Sequence, residues 1–206
     1  MKSLSTHTLL ALAGLATLTA AADVTTVTVG PTIPSNEPEW KQDKSFTSAI
    51  LNSTNFYREE HNATALKWNT TLEDFAADYL DSNDCEFEHS DGPYGENLAI
   101  GYPNATASVE AWGDERDDYN FKKGEFSEET GHFTQLVWKD TTTVGCGRRL
   151  CGDRGWYLVC EYWPRGNVIG EFKTEVQSEE DNGGGLLRPR MGVIAGVVLG
   201  FVVFWV

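Results

Sequence analysis

Four cysteines, Cys85, Cys146, Cys151 and Cys160, carry the most reactive side chains of the sequence and lie in one stretch. An oxidising compartment pairs them, and their spacing leaves three pairings open. Four Asn-x-Ser/Thr acceptors accompany them, at Asn52, Asn62, Asn69 and Asn104. Such sites receive N-linked glycans on chains that enter the secretory pathway. Tyr119, Phe121 and Phe126 surround Lys122, Lys123 and Gly124, which describes a loop rich in planar apolar rings. On spacing alone Tyr119 and Phe121 complete a helix–sheet core, and Phe126 is the ring that packing explains least. No Gly-x-Ser-x-Gly elbow marks a serine nucleophile.

The two ends look like addresses. Lys2, an apolar run from Leu9 to Leu18 and Ala20-Ala21-Ala22 make the charged, apolar and small-residue parts of a secretory signal peptide over residues 1–22. At the other end, Asp181-Asn182-Gly183-Gly184 precedes a short spacer and an apolar run from Met191 to Val206. That order describes a glycolipid-anchor signal with Asn182 as the attachment residue, Gly183 next, and residues 183–206 removed. A single transmembrane helix is the alternative, although the run is shorter than a comfortable span.

The formal net charge is −15, and the segment between the two ends holds 31 acidic residues against 13 basic ones, a net −18. So negative a chain repels phosphate backbones, which excludes nucleic acid as a partner.

Between a flexible arm over 23–43 and an acidic stalk over 174–182 lies one domain, 44–173. Phe46, Ala49, Ile50 and Tyr57 share a helical face, and Leu72, Phe75, Ala76, Tyr79 and Leu80 repeat with helical period. Thr70 and Glu73 suggest a capping box. A third helix is expected near Thr106–Tyr119, with Val109, Trp112 and Tyr119 inward. Phe133–Trp138 is expected to be a short strand. Thr143–Leu150 and Trp156–Trp163 flank the turn cluster Cys151–Gly155, a hairpin that sets Cys146 across from Cys160. Helices followed by strands imply an α+β fold with a small, mostly antiparallel sheet.

Three ordered motifs now carry a family resemblance. Gly131-His132-Phe133-Thr134-Gln135-Leu136-Val137-Trp138, Tyr157-Leu158-Val159-Cys160-Glu161-Tyr162-Trp163-Pro164-Arg165-Gly166-Asn167-Val168, and Gly95-Glu96-Asn97 after His89-Ser90 resemble the CAP superfamily. That group holds cysteine-rich secretory, antigen 5 and pathogenesis-related proteins, and this chain is most similar to its secreted fungal members. The resemblance implies a three-layer α-β-α sandwich and the disulfides Cys85–Cys151 and Cys146–Cys160. It also implies a cavity lined by His89, Glu96, Glu115 and His132. Thr54-Asn55 occupies the family's helix-one His-Asn position, so His61 is read as an ordinary helix-end residue. Thr54 and Glu161 depart from the family pattern.

Two imidazoles and two carboxylates can bind zinc, magnesium or calcium, act as acid and base, or form a structural network. No organic cofactor is implied. The resemblance also implies that the Tyr119–Phe126 loop, with Tyr119, Phe121 and Phe126, contacts sterols or fatty acids. The function expected is lipid binding and transfer at the cell surface by a secreted, glycolipid-anchored protein of the plasma membrane or cell wall. Two alternatives stand beside it: a metal-dependent peptidase using the four His and Glu residues, and a surface protein binding a host protein or wall glycan.

Overall fold

The structure, a computed structural model, describes residues 36–179. The expected signal peptide, the start of the arm, Asn182, Gly183 and the apolar tail lie outside the described residues. Among the described residues no helix is long and apolar enough to cross a membrane.

Two helices lead into the domain, α1 (Pro38–Lys41) and α2 (Asp43–Glu60). Strand β1 (Lys67–Trp68), helix α3 (Thr70–Ser82), strand β2 (Gly95–Ile100) and helix α4 (Ala105–Asp114) follow. Helix α5 (Gly131–Leu136), strands β3 (Thr143–Leu150) and β4 (Trp156–Trp163) and helix α6 (Phe172–Glu175) complete the chain. The sheet runs β1-β3-β4-β2, antiparallel except for the short β1–β3 pair.

One face of the sheet takes α3. Gly145 and Gly147 make this close approach feasible: a Cβ on Gly145 would stand 2.3 Å from the Asn69 carbonyl oxygen, and one on Gly147 2.8 Å from the Ala76 backbone. Ala76, Leu80, Leu98, Tyr157 and Val159 close that layer. A larger cluster, with Ile50, Val109, Trp112, Phe133, Cys146, Cys160 and Tyr162, joins the remaining helices to the sheet. The result is the expected α+β sandwich of three layers. Cys146 faces Cys160 across the β3–β4 ladder and bonds to it, and Cys85 bonds to Cys151.

Four expectations need correction. Phe133–Trp138 is largely helix α5, not a strand. Phe133, Leu136 and Val137, spaced as a helix face, are fully buried, and Glu115 caps the helix start. Asn69, not Thr70, is the N-cap of α3: its side chain accepts from the Thr71 amide, while Glu73 takes the Trp68 indole N–H at 2.7 Å instead. The arm is packed from residue 38, because Trp40 is buried and stacks on Trp156 at 5.6 Å. The stalk is likewise packed at its start, where Val176 is buried. Burial of such apolar area outweighs the entropy of ordering the flanks.

Candidate functional site

The four expected cavity residues form two His–Glu pairs. His89, in the loop before β2, meets Glu96 on β2, with Nδ1 2.5 Å from Oε1. The Ser90 amide donates to both Glu96 oxygens at 3.0 and 3.3 Å. His132, on the first turn of α5, meets Glu115 just past α4, with Nδ1 2.6 Å from Oε1. The other Glu115 oxygen accepts the His132 and Phe133 amides, each at 3.0 Å. Glu115 therefore caps α5 from a different element, satisfying donors a short helix leaves bare. Trp112 stacks on His132 at 6.1 Å and anchors its own indole N–H on the Leu98 carbonyl at 3.0 Å. Asn97, next to Glu96, donates to the His132 carbonyl at 3.0 Å. Strand β2 thus holds one pair directly and ties down the backbone of the other.

A fifth group enters at Glu161, which stands opposite Glu96 in the β2–β4 register and is fully buried. No ordinary donor reaches either of its oxygens. Burial, reinforced by the Glu96 charge, pushes its carboxyl up to about 10, so it stays protonated beside Glu96. Burial alone would raise Glu96, yet the hydrogen bonds from His89 and Ser90 hold it below the ordinary carboxylate value. His89 moves up, chiefly through its hydrogen bond to Glu96.

The donor types suit a divalent cation. Among the described residues no three His, Cys, Asp or Glu side chains are gathered to hold an ion. Both pair carboxylates are already engaged by imidazole and amide donors, which a cation would have to displace.

The loop residues divide. Tyr119 is buried, its ring 4.9 Å from Phe121 and 5.7 Å from Phe133. Burial pushes the Tyr119 phenol up to about 12, and its hydroxyl has no hydrogen-bond partner. Phe121 packs edge-on to Phe133 at 5.9 Å and lies flat against His61 at 5.8 Å. Phe126 stays 46% exposed, tilted toward Phe172 at 6.2 Å. Between them the Gly124 amide donates to the Asn120 carbonyl, and Gly124 takes φ +60°, where a side chain is strained.

The glycan acceptors sit differently from one another. Asn52 and Asn62 are exposed, the latter donating to the Gln177 side chain at 2.9 Å. Asn69 and Asn104 are N-caps that use Oδ1. At the family's His-Asn position, Thr54 is buried and Asn55 brackets the Leu66 backbone, accepting its N–H at 2.7 Å. His61 is not the plain helix end expected: it is 1% exposed beneath the loop. Glu161 and His61 escaped sequence reasoning because strand register and loop docking set their surroundings. Only the unusual acid after Cys160 was a visible signal.

Comparison with known proteins agrees with the geometry. The chain is 48% identical over 135 residues to Protein PRY2 of Saccharomyces cerevisiae, covering 64% of this chain and 41% of that protein. It is 37% identical over 178 residues to Secreted protein RBT4 of Candida albicans, covering 83% of this chain and 49% of that one. The chain thus spans less than half the length of both relatives. The fold matches Schistosoma mansoni venom allergen-like protein 4 with a TM-score of 0.53 at 27% identity, over 65% of this chain and 96% of that one. The sequence model of the cysteine-rich secretory protein family matches residues 51–162, more than half of the chain; the chain belongs to that family, the CAP family.

Proposed function

We propose that this is a secreted CAP-domain protein that binds small lipids, sterols first and fatty acids second, beneath its Tyr119–Phe126 loop and transfers them at the cell surface. The observation that carries this reading is the nest formed by Tyr119, Phe121, Phe133 and His61, which is aromatic throughout yet leaves the Tyr119 hydroxyl buried and unpartnered. Buried hydroxyls without partners are rare in folded proteins. A flat apolar molecule with one polar end would satisfy the hydroxyl and gain about 25 cal/mol for each Å² of apolar surface covered. Phe126, exposed at the loop's far end, would close over such a ligand.

The Candida albicans relative is named a secreted protein, which supports export. An anchor at Asn182 would keep the protein on the outer membrane face or in the wall. In this reading the two His–Glu pairs are clamps that fix α5 and β2 beside the nest, and neither a cation nor a catalytic step is required. The test is a sterol titration of the purified protein beside Phe121→Ala/Phe126→Ala. Saturable micromolar binding that the double variant loses supports the reading, and its absence in the folded wild type refutes it.

A further inference from the structure

His61 is the one histidine among the described residues outside the His–Glu pairs, and its setting is unusual. The C-cap of α2, it is 1% exposed and sandwiched by rings, with Phe121 parallel at 5.8 Å and Phe133 edge-on at 4.9 Å. Its Nδ1 lies 2.6 Å from the Gln177 carbonyl oxygen. A carbonyl only accepts, so Nδ1 carries the proton and Nε2 is bare. That Nε2 is buried with no hydrogen-bond partner. The Tyr119–Phe126 loop therefore rests, through Phe121, on a neutral imidazole.

We propose that His61 is a proton-operated catch for this loop: the neutral ring holds Phe121 down, and the protonated ring releases it. A proton arriving at Nε2 creates a second N–H donor in a site that offers it no acceptor at bonding distance. The nearest carboxylate is Glu179, whose Oε1 lies 3.9 Å away. Glu179 is half exposed and already bonded to Arg116 at 2.7 Å. Arg116, which also bridges to Glu60 on α2 at 2.6 Å, repels a charged His61. Arg58, which shares the last turn of α2 with Glu59 and Glu60, is spent on the carbonyls of Thr64, Leu136, Trp138 and Thr141. Phe121 and Phe133 bring no charge, and His132, next to Phe133, turns to Glu115. Attraction between an imidazolium and the Phe121 face acts against release but does not restore the lost hydration.

The balance favours the neutral ring. Burial lowers His61 below its ordinary 6.5, and the Gln177 bond and Glu179 only partly offset it. A histidine depressed in the closed state stabilises that state fully above about 6.5, and the stabilisation is lost as pH falls below it. Acid therefore opens the loop. The link to lipid uptake rests on the function proposed above, whereas the catch itself does not.

The experiment is NMR on the ligand-free protein between about pH 7.5 and 4.5. It follows the His61 ring and the hydrogen-exchange protection of the Lys123 and Gly124 amides, which donate to Asn120, corrected for intrinsic exchange. The expected result is a His61 titration below 6.5, with loop protection falling by up to about tenfold per pH unit between 6.5 and that midpoint and levelling off below it. In His61→Gln the protection should not change with pH. A His61 titration at or above 6.5, protection that is flat while His61 titrates, or an unchanged response in His61→Gln would each overturn the proposal. If His61→Gln does not fold, the wild-type profile decides: protection must begin to fall near 6.5 and level off at the His61 midpoint. No lipid is present, so failure to bind sterol at neutral pH would count against the proposed function and not against the catch.

Discussion

Glu96 and Glu161 face each other across β2 and β4, and the pair carries one proton: Glu96 is held ionised while Glu161 is held neutral. Two carboxyls this close cannot both ionise in a buried site. A carboxyl whose value rises on folding stabilises the fold only below its unfolded value, near 4.5, and loses that contribution as pH climbs toward about 10.

Glu161→Gln keeps the shape and removes the titrating proton. The variant should match the wild type below about pH 4.5 and become more stable above it, by about 1 kcal/mol per pH unit at first. Thermal melts of both proteins at several pH values check this. A wild type more stable than the variant at pH 8 would show that Glu161 is ionised in the fold.

The His89–Glu96 pair has a different window. His89 is raised and so stabilises fully below 6.5, with the contribution lost as pH rises through its folded value. Glu96 is lowered and so stabilises fully above 4.5, with the contribution lost in stronger acid. The Tm difference between wild type and His89→Gln should peak between those two values and shrink on either side. His89 is mostly exposed, so the effect is modest.

Arg58 is a hub rather than a site residue. Its guanidinium donates to four carbonyls at 2.7 to 3.0 Å, joining α2 to the end of α5 and the turn before β3. Arg58→Met should cost about 3–5 kcal/mol by leaving buried acceptors bare. Arg58→Lys should recover only part of this, because an ammonium lacks the planar fork. Urea unfolding measures both.

Chelation should leave Tm and lipid affinity unchanged. The Glu96 and Glu115 carboxylates are already satisfied within the protein, so no cation is needed to neutralise them. A Tm that drops on adding EDTA and returns with zinc would mean the pairs open to form a cation site.

The architecture was legible where periodicity or local chemistry decides. Leu72, Ala76 and Leu80 mark α3, the Cys151–Gly155 turn marks the β3–β4 hairpin, and the motif resemblance supplied the four His and Glu residues, though not their pairing, and both disulfides. Phe133–Trp138 misled because its β-prone residues are overridden by a cap from Glu115, a residue distant in sequence. Trp40 and Val176 misled because their partners lie far along the chain. Glu161 and His61 were illegible as functional groups: strand register gives one its acid neighbour, and loop docking gives the other its two phenyl rings.

The central claim is that the loop's rings hold lipid, and Phe126 tests it most directly because its exposure separates binding from packing. The measurement is sterol affinity of wild type and Phe126→Ala at neutral pH, with Tm recorded for each. The account predicts saturable binding weakened about tenfold, as loss of roughly 1.4 kcal/mol of contact would give, with Tm nearly unchanged. Equal affinity in the two proteins, or no saturable binding by a folded wild type, would contradict it.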